Sequence, residues 1–137
     1  VVQIFSEQLK RVIGDGMDLL FCNEDEAISF TGSKTIEHAA ESLKNYSKSF
    51  VITRGAQGSM VYDGNNTNFV PGVKTKAINT NGAGDMFAGA FLHAINAGQD
   101  YVLAAQFANA AAALVVSQFG PRIEASEYDN LKHQFSV

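Results

Sequence analysis

The 137-residue sequence has no tryptophan, two prolines and a single cysteine. One cysteine, Cys22, excludes an internal disulfide and fits a reducing, cytoplasmic compartment. No histidine motif accompanies it, so it reads as a buried strand-end residue rather than a nucleophile. No apolar run reaches the ~20 residues of a bilayer span. The nearest, residues 101–116, is alanine-rich and carries Gln106 and Asn109. Basic excess is also missing. The net charge of −4 removes the electrostatic footprint of a nucleic-acid or anionic-membrane binder. His38, His93 and His133 lack metal-ligand spacing. The first residues show no initiator methionine and no signal-peptide pattern, and read as an entry midway into a longer polypeptide. What is present, 46% hydrophobic and 18% charged residues, suits a globular domain with its own core.

Hydrophobic periodicity predicts a helix over residues 3–14, with Ile4, Phe5, Leu9, Val12 and Ile13 on one face. Residues 17–23 read as a buried parallel strand, followed by a helix that Gly32 stops. A second helix over 35–47 carries the stripe Ile36, Ala39, Ala40 and Leu43. A strand over 49–55 leads into a hairpin over 58–72, turned at Asp63-Gly64-Asn65-Asn66. Three helices follow, over 83–97, 101–117 and 124–134, separated by Gly98 and Gly120-Pro121. Alternating strands and helices predict an α/β fold with helices on the faces of a sheet. Only two or three core strands are visible, few for a doubly wound domain, which points to a missing N-terminal half.

Three stretches carry candidate chemistry. In "INTNGAGDMFAGAF" (78–91) glycines stand directly before and at the start of a helix. Helix starts expose unpaired N–H groups and a partial positive charge, and glycines remove the Cβ atoms that would block an anion. Residues 82–84 can thus seat a phosphoryl oxygen. No lysine follows, so this is not the Gly-Lys-Ser/Thr phosphate loop. A carboxylate there, Asp85, suits proton abstraction from an attacking hydroxyl, or simply complements the helix dipole. "NEDE" (23–26) follows a strand end; Asn23 and Glu26 suit a magnesium hydration shell, or an ordinary helix cap. "TRGAQGS" (53–59) offers Thr53, Gly55 and Gly58 to a nucleotide lying on backbone, or is a tight connection. Asn109, in a nearly apolar helix, either bonds a backbone group or frames a purine pocket.

In this order the three motifs resemble the ribokinase-like, or PfkB, family of carbohydrate and nucleoside kinases, over nearly the whole chain. The family's Asp-Thr-x-Gly-Ala-Gly-Asp signature reads Asn79-Thr80-Asn81-Gly82-Ala83-Gly84-Asp85 here. Its Asn-x-x-Glu element is Asn23 to Glu26, and its Thr-x-Gly-x-x-Gly element is Thr53 to Gly58. The wording of "TNGAGDMFAGAF" and "NAAAALVVSQFGPR" is most similar to bacterial adenosine-kinase-like members. The resemblance implies the C-terminal part of a three-layer α/β/α fold, without the lid and the N-terminal half, with residues 1–137 as the ATP-binding and catalytic part. It implies ATP and Mg2+ as cofactors and a small nucleoside or sugar as acceptor. Asp85 would be the base, and Asn81, Gly82, Ala83 and Gly84 the anion hole over the γ-phosphoryl group. Thr53, Gly55 and Gly58 would contact the nucleotide, with Asn109 beside the adenine. Asn23 and Glu26 would place Mg2+ through water.

One departure concerns Asn79, which stands where the family carries an aspartate that helps to ligate a monovalent cation. An amide offers a carbonyl oxygen without charge, which puts K+ activation in question. The acceptor-gripping half and the lid are also absent, so the 137 residues alone are expected to be inactive. A ribokinase- or fructokinase-like sugar kinase is an alternative, as is a nucleotide-binding regulatory module without turnover. Nothing in the sequence sets the oligomeric state.

Overall fold

Leu19, Leu20, Phe21 and Cys22 form an unbroken buried run, and Phe50, Val51 and Ile52 form another. Apolar residues on both faces of a strand mark the interior of a sheet. The computed structural model describes residues 2–4, 10–14, 17–73, 83–116 and 125–137. The strands are β1 (Val2–Ile4), β2 (Lys10–Gly14), β3 (Met17–Asn23), β4 (Ser49–Thr53), β5 (Gly58–Tyr62) and β6 (Thr67–Pro71). The helices are α1 (Glu24–Thr31), α2 (Ile36–Leu43), α3 (Ala83–Asn96), α4 (Tyr101–Val116) and α5 (Ala125–Gln134). The six strands form one mixed sheet in the order β1-β2-β3-β4-β5-β6. β3 and β4 are parallel, and α1 and α2 make the crossover between them.

The expected helix over residues 3–14 is not observed where the chain is described. β1 and β2 pair antiparallel, with Val2 opposite Val12 and Ile4 opposite Lys10. β2 pairs antiparallel with β3, from Lys10 opposite Phe21 to Gly14 opposite Met17. The pair Gly14–Met17 encloses Asp15-Gly16, a dipeptide that favours two-residue hairpins. Val12 and Ile13 are β-branched, and the ladder covers an edge of β3 that would otherwise be open. Among the described residues the sheet has six strands: the expected ones over 17–23 and 49–55, the expected hairpin pair β5 and β6, and β1 and β2, from the stretch expected to be helical. The expected strand over 49–55 ends at Thr53, and the helix over 35–47 is shorter, Ile36–Leu43.

The chain divides into two compact units, Val1–Arg54 with Met60–Phe69, and Gly55–Ser59 with Val70–Val137. In the first, the core joins Leu20, Cys22, Phe50 and Ile52 of the sheet to Ala27, Ile36, Ala39, Ala40 and Leu43 of the helices. Gly32 closes α1 in the left-handed conformation (φ 68°), its N–H donating to the Ile28 carbonyl. Thr35 caps α2, accepting from the His38 amide. Asp18 ties three strands together. Arg11 donates to both its carboxylate oxygens (2.6 and 2.7 Å), and the Ser49 hydroxyl donates to its carbonyl (2.8 Å). The Arg11 hydrogen bond holds the Asp18 carboxyl below the usual carboxylate range, helped by Ser47 and the Lys48 amide against partial desolvation.

In the second unit α3 and α4 pack against each other. α3 buries Phe87, Ala90, Phe91 and Ala94. α4 buries Ala104, Ala105, Phe107, Ala108 and Ala111. Phe91 meets Tyr101 edge-on at 5.3 Å, and Phe107 holds α5 through Tyr128 at 5.9 Å. No helix among the described residues is long and apolar enough to cross a membrane.

Candidate functional site

In the first unit the carboxyl ends of β3 and β4 bring Asn23, Glu26 and Thr53 together. The parallel register sets Asn23 beside Thr53. In open α/β sheets this is the edge where ligands gather. Asn23 is the N-cap of α1, with extended backbone (φ −90°, ψ 176°). Its Oδ1 accepts from the Glu26 amide, and Glu26 Oε1 accepts from the Asn23 amide, each at 2.7 Å. The Asn-x-x-Glu element is thus a complete capping box, with one oxygen of each side chain engaged. The Thr53 hydroxyl donates to the Cys22 carbonyl at 3.4 Å. Burial pushes the Cys22 thiol up to about 12, with the charge of Glu26 adding to the shift, so the thiol is inert.

Arg54, the residue after β4, is a feature that motif reading missed. Its Nε donates to Glu24 Oε2 at 3.2 Å, and its guanidinium lies 5.2 Å from the centre of the Phe69 ring. The available signal was opposite charge on the residues that directly follow two neighbouring strands.

In the second unit Gly55 opens a short turn (Gly55–Gln57) and is exposed. Gly58 is buried with φ +108°, and a Cβ there would overlap the Val70 carbonyl and the backbone of Pro71 and Gly72. The fold itself therefore demands glycine at this position. Asn109, 8% exposed, donates from Nδ2 to the Pro71 carbonyl at 3.2 Å. Of its two readings, the backbone bond is the one observed. Gly58 and Asn109 thus meet on the same backbone stretch, Val70–Gly72.

Ala83, Gly84 and Asp85 form the first turn of α3, with Gly84 and Asp85 exposed. A Cβ on Gly84 would meet nothing within 4 Å. Among the described residues, packing gives no reason for a glycine there. The first turn also presents backbone N–H groups without intrahelical partners. Asn79, Asn81 and Gly82 lie outside the described residues. No group of three or more His, Cys, Asp or Glu side chains suited to a metal occurs among the described residues.

The family model "pfkB family carbohydrate kinase" matches residues 2–127. The chain belongs to the pfkB family. This pfkB-family chain is 37% identical over 112 residues to ribokinase from Bacillus subtilis, an alignment that covers 82% of the chain and 37% of that relative. It resembles the solved adenosine kinase of Sinorhizobium meliloti with a TM-score of 0.78 at 28% identity, covering 85% of this chain and 36% of that one. It also resembles an E. coli protein described as a ribokinase II, solved with ATP and Mg2+, with a TM-score of 0.72 at 29% identity, covering 85% and 39%. The fold is that of ribokinase-like kinases. The pfkB-family chain spans about a third of the length of its curated relatives, 34%, 34% and 37% for the first three.

Proposed function

We propose that the protein containing these residues is an ATP-dependent phosphotransferase, moving the γ-phosphoryl group to a hydroxymethyl group of an adenosine-like nucleoside. Residues 1–137 are then the ATP-binding and catalytic C-terminal part of its kinase domain. The observation that carries this reading is the first turn of α3, where an exposed carboxylate adjoins a glycine that packing does not require. Asp85 takes the proton of the acceptor hydroxyl while that oxygen forms a bond to the γ-phosphorus. The bond from phosphorus to the bridging oxygen breaks, and ADP leaves with the electron pair. Asn81 and the backbone amides of Gly82, Ala83 and Gly84 hold the phosphoryl oxygens, where one well-placed donor is worth about 3 kcal/mol in the transition state.

Thr53, Gly55, Gly58 and Asn109 serve the nucleotide, the last two by fixing the Val70–Gly72 backbone. Mg2+, when bound, neutralises charge on the phosphates. Asn23 and Glu26 offer only oxygen donors and a single carboxylate, which suits a hydrated ion held mainly by phosphate and water. No role is given to K+, since its candidate ligand Asn79 is uncharged. The proposed setting is cytoplasmic, where ATP is supplied and Cys22 stays reduced.

The B. subtilis ribokinase relative supports a second reading, a ribokinase- or fructokinase-like sugar kinase. A regulatory module without turnover would gain by losing Asp85, whose charge repels phosphate. Mass analysis of products from the full-length polypeptide with ATP and adenosine, inosine, ribose or fructose separates the acceptors. Asp85→Asn is expected to keep ATP binding and to lower turnover about 10²–10⁴-fold. Unchanged turnover would remove Asp85 from the reaction. Residues 1–137 alone are expected to be inactive, and product formed by them would contradict that expectation.

A further inference from the structure

Glu24, Arg54 and Phe69 form a set of contacts that neither the capping box nor the strand ladder requires. Glu24 directly follows β3 and Arg54 directly follows β4, so the register that pairs Asn23 with Thr53 sets the two charges on adjacent strand ends. Arg54 has two partners, Glu24 through Nε at 3.2 Å and the Phe69 ring, whose centre lies 5.2 Å from the guanidinium carbon. Phe69 is 49% exposed, so the ring buries little area by standing there. A partly exposed ion pair contributes little to stability on its own. A guanidinium over a ring and held by a carboxylate nevertheless has a preferred direction. Glu24 is the first residue of α1, between the cap Asn23 and its partner Glu26. Glu24 lies inside the turn that the Asn23–Glu26 hydrogen bonds close, so its bond to Arg54 anchors that turn to the end of β4.

We propose that Arg54 is a positioning residue: seated over Phe69, it holds Glu24, and through it the Asn23–Glu26 turn, in the orientation that serves phosphate-bound Mg2+. This inference rests on the kinase reading above. The test uses the full-length polypeptide and calorimetric binding of a non-hydrolysable ATP analogue at graded Mg2+. Arg54→Ala is expected to raise the Mg2+ needed for half-maximal binding about tenfold, the low end of the loss seen when a partner behind a metal-oriented ligand is removed. At saturating Mg2+, kcat should stay within about twofold while KM for ATP at limiting Mg2+ rises. Phe69→Ala should move the Mg2+ dependence in the same direction. Arg54→Lys, which keeps the charge but loses the planar, directional group, should recover only part of it. A purely structural Arg54 would lower the melting temperature and leave the Mg2+ dependence of binding unchanged, and that result overturns the proposal while the kinase reading stands. Wild-type protein that binds no analogue and phosphorylates no acceptor would overturn the kinase reading instead.

Discussion

Gly58 and Gly84 both belong to glycine-rich elements, yet the structure treats them oppositely. Gly58 has φ +108° and lies where a Cβ would overlap the backbone of Val70 to Gly72. Gly84 sits in the first turn of α3 with nothing within 4 Å of a notional Cβ. The first glycine is explained by the protein's own packing. The second costs helix stability, about 0.5–1 kcal/mol relative to alanine, without any packing return among the described residues. A glycine motif in a sequence is therefore not one kind of signal. Only where the fold makes no demand does it point to something outside the chain.

The largest expected effect that separates the two is on folding. Gly58→Ala in the full-length protein should destabilise by about 2–3 kcal/mol or prevent folding, since overpacking and a left-handed backbone act together. Chemical denaturation measures this, and a loss below about 0.5 kcal/mol, within the range of ordinary surface substitutions, would erase the contrast. Gly84→Ala should do the reverse. Its stability should hold or rise by up to about 1 kcal/mol, while turnover falls about tenfold because a methyl group crowds the phosphoryl group. A variant with full turnover would deny a ligand at that turn. Asn109→Ala tests the other support of the Val70–Gly72 stretch. Losing the bond to the Pro71 carbonyl should cost about 1 kcal/mol, read from the same denaturation curves. The smallest effect concerns Asp18, in the first unit. The folded pKa of Asp18 is depressed, so its contribution is present above the ordinary carboxylate pKa and is lost as pH falls through the folded value. Melting temperatures followed from pH 5 downward should fall less steeply in Asp18→Asn, where that titration is gone.

Much of the fold was legible because apolar runs and turn chemistry agreed. The buried run of β3, the Asp63–Asn66 turn and the helices after Gly82 follow from residue pattern, and Gly32 does stop α1. Residues 3–14 failed because the same side chains serve two periods. Ile4, Phe5, Leu9, Val12 and Ile13 make a helical stripe, whereas strand pairing and the Asp15-Gly16 dipeptide favour a hairpin. Pattern alone does not weigh an open sheet edge against a helical face. At the site, Asn23 and the acids after it suited an ordinary helix cap as well as a metal pair, and the structure shows the cap to be a capping box. The Arg54–Phe69 contact joins residues 15 apart in sequence, and such pairs show only after the hairpin is folded.

The α3–α4 pair has a consequence for how this region can change over time. Ala104, Ala105, Ala108 and Ala111 are fully buried and carry only a methyl group each. A heavier residue at any of those four positions would overpack the interior of this unit. Larger side chains are thus accommodated more readily at the outward-facing positions than at these four. The first turn of α3, with Asp85 on it, rides on that packing like a jaw on a post.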